Sequence, residues 1–212
     1  MKLRILLSTA CVLFAGLAGI KAADNQRSQA GSRARLQAVQ LSEEEIANIQ
    51  YMWQEEKLAR DVYLTLYEEW DVTVFANISE SEQRHMDAIG RLIELYDINV
   101  SVMDTTVGAF EDPSFAALYE EFVDSGTVSL LDALIVGVSI EEQDIADLTE
   151  KLDQTTMRNV RRVFENLLAG SERHLAAFQQ CIDNFDTECL QTCNGCGEGK
   201  KSRGRNGTCI YQ

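Results

Sequence analysis

Four helix-period apolar stripes run through this sequence, and each is interrupted near its middle by an ionisable or polar residue. The clearest is FANISESEQRHMDAIGRLI, residues 75–93. Phe75, Ile78, Ile89 and Leu92 recur at three- and four-residue steps, which is the pattern of one helix face. Continued through the middle, that face lands on Glu82 and His85. Burying a charge is costly unless it is paired or bound to a metal. Side chains three or four apart on a helix are neighbours, and Glu-x-x-His on an inner face is a unit of the carboxylate metal sites of four-helix bundles. A single such pair is commonly just solvated, so its meaning depends on what other helices supply.

Three other stretches supply matching groups. Ser42-Glu-Glu-Glu45 reads as a capping box opening a helix to about Glu69. Its stripe is Ile49, Met52, Glu56, Ala59, Tyr63 and Leu66, with Glu55 on the flank. A short link around Trp70 to Thr73 makes the next helix antiparallel to it; that second helix is expected to begin near Asn77 or Ser79, both good caps, and to end near Tyr96. The looser span from Asp97 to Val128, with a short helix starting at Asp112-Pro113, is long enough to return the chain to the other end of a bundle. Ser129 then caps a third long helix. Its stripe Leu134, Val138, Glu141, Ile145, Leu148 and Leu152 buries Glu141. A neighbouring stripe through Leu131, Ile135, Val138 and Ile145 buries Glu142 instead, and Asp144 follows Glu141 by one turn. A fourth helix, about Thr156 to Phe185, carries Val160, Phe164, Leu167, Ser171, His174, Phe178 and Cys181 on one face. The two histidines of the protein, His85 and His174, thus occupy inner faces of different helices. The competing reading is buried pairing of these acids with the histidines, or with Arg60, Arg84 or Arg173, which are close enough in sequence to serve.

Composition agrees with a helical domain. Hydrophobic residues make up 45% of the chain, enough for a core, and proline occurs once, at Pro113. The formal charge is −15. No basic stripe is dense enough for nucleic acid, while a strongly acidic chain attracts cations.

The ends read differently. Lys2 and Arg4, an apolar run from Ile5 to Ile20, and Ala22 and Ala23 form a signal-peptide pattern over residues 1–22. The run is short for a membrane span. The expectation is export to a periplasmic or extracellular location with no stable membrane insertion after cleavage; an uncleaved anchor is the alternative, and lipidation at Cys11 is a weaker one. Residues 23–40 read as a flexible lead. Cys181, Cys189, Cys193, Cys196 and Cys209 crowd the C-terminus, with residues 186–212 a cysteine-rich tail. In an exported protein disulfides are expected, and the odd number leaves one thiol free or linking two chains in a homodimer.

On these residues the chain resembles a known group. EEKLARDVY is similar to the first-helix motif of rubrerythrin-type ferritin-like proteins, with Glu56 at the ligand position, and SEQRH to their second-helix Glu-x-x-His, matching Glu82 and His85. Through EEKLARDVYLTLYEEW, FANISESEQRHMDAI, EEQDIADL and RVFENLLAGSERHLAAF, residues 42 to about 180 resemble an uncharacterised ferritin-like family of bacterial and archaeal proteins, often exported. The resemblance implies an all-α fold, a ferritin-like four-helix bundle over residues 41–185, and a dinuclear metal centre without a settled activity. The fourth helix departs from the pattern: Ser171 stands where a glutamate is expected before His174. Either Glu141, Glu142 or Asp144 compensates, or the site holds one ion.

The expected ligands are Glu56, Glu82, His85, Glu141, Glu142, Asp144 and His174. Such a set suits iron, as two ions or one, or manganese. The expected chemistry is iron oxidation coupled to reduction of oxygen or peroxide. Tyr63 is a candidate donor or redox-active phenol there, or simply a core tyrosine. A metal buffer or delivery protein without turnover, and a structural bundle with a decayed site, are the alternative functions.

Overall fold

The computed structural model of the protein describes residues 41–99 and 103–185. The expected signal peptide, flexible lead and cysteine-rich tail, with Cys11, Cys189, Cys193, Cys196 and Cys209, lie outside the described residues. Among the described residues the structure is all-helical, with five α-helices: α1 Glu43–Trp70, α2 Thr73–Tyr96, α3 Pro113–Gly126, α4 Leu130–Gln154 and α5 Arg158–Asp183. None of them is long and apolar enough to cross a membrane.

The helix starts follow from local chemistry. At α1 the capping box forms: the Glu45 N–H donates to Ser42 Oγ at 3.0 Å, and the Ser42 N–H to Glu45 Oε2 at 3.1 Å. The other Glu45 oxygen crosses to the start of α5. It accepts from the Thr156 N–H (2.9 Å), Thr156 Oγ1 (2.9 Å) and the Met157 N–H (3.0 Å), where α5 has no side-chain cap at its own N-cap residue. Burial pushes the Glu45 carboxyl up, but these hydrogen bonds outweigh it and hold its pKa below the ordinary value. Asp112 caps α3 by accepting from the Ser114 N–H at 2.9 Å, and Ser129 caps α4 by accepting from the Asp132 N–H at 3.1 Å. The start of α2 differs from expectation. It begins at Thr73 with no side-chain cap, because Asp71 in the left-handed conformation (φ 51°) turns the chain at once. Val74 and Phe75, both fully buried, then anchor the first turn by packing.

Side-chain contacts fix how the long helices run. Asn48 meets Gln154, Tyr51 meets Asp147, and Tyr63 meets Glu141. Residue numbers rise along α1 as they fall along α4, so the two are antiparallel. The same opposition holds for α1 with α2 (Glu56–His85, Arg60–Gln83), for α2 with α5 (Glu82–His174, Tyr96–Asn159) and for α4 with α5 (Glu141–His174, Asp144–Ser171). The four long helices therefore form a closed ring, and the segment between α2 and α4 runs its length. That segment is tied to α1 by a buried ion network. Asp61, fully buried, pairs with Lys57 and Arg60 and accepts from the Gly108 N–H at 3.0 Å. Lys57 and Arg60 donate to the carbonyls of Thr106 and Thr105. α3 lies outside the ring against α1 and α4, with Trp70 Nε1 donating to Gly126 O at 2.9 Å.

The interior has two apolar parts. One is built on Val62, Tyr63, Leu66, Phe75 and Phe178, the other on Ile49, Met52, Met86, Ile89, Leu148 and Phe164. Between them lies a band of buried acids and histidines. Truncating Glu45 tests the end of the ring: Glu45→Ala removes caps from two helices and is expected to cost about 2 kcal/mol, read as a lower urea midpoint with an unchanged slope.

Candidate metal centre

Each long helix sends polar groups into the band. From α1 come Glu56 and Glu55, from α2 Glu82 and His85, from α4 Glu141 and Asp144, and from α5 His174 and Ser171; all are buried. Glu82 is central. Its Oε2 lies 2.7 Å from His85 Nδ1 and its Oε1 lies 2.7 Å from His174 Nδ1. Glu56 Oε2 lies 3.0 Å from His85 Nδ1, and Glu141 Oε2 lies 3.6 Å from His174 Nδ1. Two three-donor groups result, Glu56–Glu82–His85 and Glu82–Glu141–His174, each with its atoms within 4.8 Å of one another, and they share Glu82. The imidazoles stack with centroids 5.5 Å apart.

The close approaches are not all hydrogen bonds. Both Glu82 oxygens, Glu56 Oε1, Asp144 Oδ1 and His174 Nδ1 are buried without a hydrogen-bond partner, although Glu82 and His174 approach to 2.7 Å. The distance says contact and the angles say no hydrogen bond. Donor atoms about 2.0–2.2 Å from a common cation sit about 3 Å apart, which is the spacing seen. Buried polar atoms are otherwise almost always satisfied. The residues therefore fit a cation in each group, and arginine does not substitute for it: Arg60 is engaged with Asp61 and Gln83, while Arg84 and Arg173 are exposed.

The electrostatics follow from the crowding. Burial pushes Glu56 up to about 8 and Glu141 up to about 7, with the Glu82 charge adding to both. Burial acts on Glu82 too, but His174 and His85 prevail and hold it well below the ordinary value. Burial lowers both imidazoles, yet the carboxylates win: Glu56 and Glu82 raise His85, and Glu82 leads in raising His174 to about 10. Tyr63, fully buried, donates to Glu141 Oε1 at 2.7 Å, and burial followed by the Glu141 charge pushes the phenol well up. It is a protonated donor to a cluster residue, packed between Phe75 and Phe178.

Of the residues expected from sequence, Glu56, Glu82, His85, Glu141 and His174 are brought together. Asp144 is buried beside them, with Oδ2 accepting from Ser171 Oγ, but it lies outside both three-donor groups. Glu142 is exposed and belongs to the surface. The reason is rotation of α4: its buried face runs through Gly137, Ile140, Glu141, Asp144 and Leu148, while Val138 and Ile145 are only half-buried. Gly137 lets α5 approach, since a Cβ there would stand 2.6 Å from the Phe178 ring. Sequence reasoning passed over Gly170 and left Glu55 on the flank. A Cβ at Gly170 would stand 2.5 Å from His85 Nε2, so this glycine makes room for the imidazole and leaves its Nδ1 facing Glu56 and Glu82.

A model of the uncharacterized protein domain DUF2202 matches residues 45–189. The uncharacterized protein MJ0754 of Methanocaldococcus jannaschii is 46% identical over 145 residues, covering 68% of this chain and 78% of that protein. The crystal structure of hypothetical protein MJ0754 from Methanococcus jannaschii DSM 2661 matches with a TM-score of 0.68 at 46% identity, covering 69% of this chain and 84% of that one.

Two outcomes test the geometry. In the metal-free protein Glu56, Glu141 and His174 all have raised folded-state values. Such contributions are full below the ordinary pKa and are lost as pH rises through the raised one. The melting temperature of chelator-treated protein is therefore expected to fall progressively from about pH 4.5, the ordinary carboxyl value, to about pH 10, whereas metal affinity rises with pH because ligands must shed protons; calorimetry with and without chelator reads both. Gly170→Ala is expected to displace His85 and weaken metal binding about 10–100-fold, measured against a chromophoric chelator with helicity checked by circular dichroism.

Proposed function

The chain belongs to the DUF2202 family of uncharacterized protein domains, and we propose that it is an exported, ferritin-like metal-binding protein. In this reading the ring of long helices is a ferritin-like four-helix bundle holding two metal ions, iron or iron with manganese. The centre reacts with oxygen or peroxide. One observation carries the reading: Glu82 presents one oxygen to each of two imidazoles, and neither oxygen is hydrogen-bonded. Export rests on the N-terminal sequence pattern alone.

The residues divide the work. Glu82 spans the two positions; Glu56 and His85 complete one, and Glu141 and His174 the other. When bound, iron supplies a ferrous–ferric couple whose electrons pass to oxygen or peroxide. Four buried acids at the centre, Glu56, Glu82, Glu141 and Asp144, favour the more highly charged metal state by simple attraction, strengthened where water is excluded. Ser171, in place of an acid, donates to Asp144 Oδ2. It thereby holds a carboxylate from α4 near the place where the related pattern has one from the fourth helix. Tyr63 fixes the rotation of Glu141 by donating to Oε1, so that Oε2 faces His174. The apolar residues above and below the band limit water there.

Reconstitution with ferrous iron or manganese(II) followed by elemental analysis is expected to give two ions per chain. Because Glu82 is shared, Glu82→Ala is expected to empty both positions; full metal stoichiometry in that variant would falsify the assignment. Stopped-flow oxygen or peroxide consumption by the iron-loaded protein separates turnover from simple holding of metal. Tyr63→Phe is expected to keep the metal and slow consumption about tenfold.

A further inference from the structure

The seam between α2 and α5 carries a groove that the dinuclear arrangement does not use. Glu82–His174 and Tyr96–Asn159 mark two points along that seam, and between them lies a concavity of about 340 Å³. Small-molecule sites run from about 300 to 1,000 Å³ and combine apolar walls with a few polar groups. The apolar lining here includes Leu92 and Leu95 from α2 and Val163 and Leu167 from α5. Leu92 and Leu167 are buried, whereas Leu95 is 48% exposed. The charged side chains of the lining are two arginines, Arg91 from α2 and Arg162 from α5. Both are exposed, and among the described residues neither has an ion-pair or hydrogen-bond partner. Asp87, one turn before Arg91, accepts from Gln83 instead, and the neighbour of Arg162 that pairs with Glu165 is Arg161. Two uncompensated cations, one on each wall, stand out in a chain of formal charge −15. The inner end of the groove adjoins the metal centre. Ala88 lines it one turn after His85, and Leu167 lies one turn before Gly170, the glycine that makes room for the imidazole.

We propose that this groove binds a free amphipathic carboxylate, with its apolar chain along Leu92, Leu95, Val163 and Leu167 and its head group between Arg91 and Arg162. A guanidinium presents a planar fork of N–H donors that matches carboxylate oxygens, and an arginine on each wall holds such a head from both sides. Taking the chain and the exposed face of Leu95 out of water supplies the remaining drive. The same pair of charges repels metal cations, so the groove is chemically distinct from the band of acids beside it. A dissolved ligand suits it better than an anionic membrane. The positive charge is confined to the rim of one groove, while the chain as a whole is strongly acidic and is repelled by an anionic lipid surface. The site does not depend on the dinuclear reading.

The test uses the full chain and dodecanoate below its micellar concentration. Calorimetric titration is expected to show one ligand per chain, with the negative heat-capacity change of apolar burial and the same affinity in chelator-treated and manganese-treated protein. Arg91→Gln and Arg162→Gln, both at exposed positions, are each expected to weaken binding about tenfold. Dodecanol, which has the chain without the charge, is expected to bind more weakly than dodecanoate, and Val163→Trp, which fills the groove from a half-buried position, to abolish binding of both. No binding of dodecanoate by the wild type, or unchanged affinity in both arginine variants, would overturn the proposal. Binding that disappears on chelation would put the carboxylate on the metal, overturning the groove and supporting the metal centre. Sedimentation with phosphatidylglycerol vesicles, without binding of free dodecanoate, would overturn the groove and assign the arginines to a membrane surface. Dodecanoate binding that depends on the arginines, in protein that takes up no metal, would support the groove and overturn the dinuclear reading.

Discussion

The structure depends on one constraint: a ring of four helices has placed a band of acids and two imidazoles where hydrocarbon would ordinarily go. An ionised carboxylate buried alone costs several kcal/mol even after the protein relaxes. Here the acids are too numerous for the two histidines to neutralise, and the nearby arginines are engaged elsewhere or face solvent. Without a cation the band compromises by sharing protons. Glu56 and Glu141 are pushed up towards neutrality while Glu82 stays ionised between two imidazoles. That compromise leaves Glu82, the group with the most charge around it, without a single hydrogen bond. The two apolar cores on either side supply the stability that such an arrangement subtracts, at about 1.5–3 kcal/mol for each fully buried large side chain.

The ring geometry explains why such a centre can be held rigidly. Every neighbouring pair of long helices is antiparallel and carries at least one polar contact across its seam. The Glu45 carboxylate joins the starts of α1 and α5, and Tyr51–Asp147 and Tyr63–Glu141 set the register of α1 on α4. A slide of one residue along a helix axis is about 1.5 Å. A slide of α2 against α5 would separate Glu82 from His174, and a slide of α1 against α2 would separate Glu56 from His85, so register-setting contacts far from the band still govern its geometry.

Much of this was legible in the sequence because the band interrupts strong apolar stripes. Glu56, Glu82, His85 and His174 stood out as polar residues on otherwise apolar faces, and all four are buried. The stripe on α4 was ambiguous for a physical reason. Its buried face includes Gly137, which has no side chain to register as apolar, and Asp144, which registers as polar, so the exposed apolar residues Leu131 and Ile135 drew the stripe towards Glu142. Glu55 was left on the flank because adjacent residues on a helix point about 100° apart, and two consecutive glutamates cannot both be centred on one face. The band is wide enough to take both. Gly170 gave no signal, since its role is the absence of a Cβ opposite a ring on another helix, a relation that exists only after packing. The start of α2 was placed late because cap chemistry was sought where packing of Val74 and Phe75 decides.

The difference between Glu82 and Ser171 shapes the band more than any other single residue. On α2 the position three before the histidine is an acid; on α5 the corresponding position is a serine that donates to Asp144 from α4. The negative charge is retained but its carrier moves to another helix. The substitution therefore makes the two halves unequal. The half built on α1 and α2 is closed by Glu56 and Glu82, whereas the acids of α4 extend outward from Glu141 through Asp144 to the partly exposed Asp147. Placing that carboxylate on α4 leaves the two halves of the band with different partners: Glu82 between two imidazoles on one side, Asp144 beside the Ser171 hydroxyl on the other.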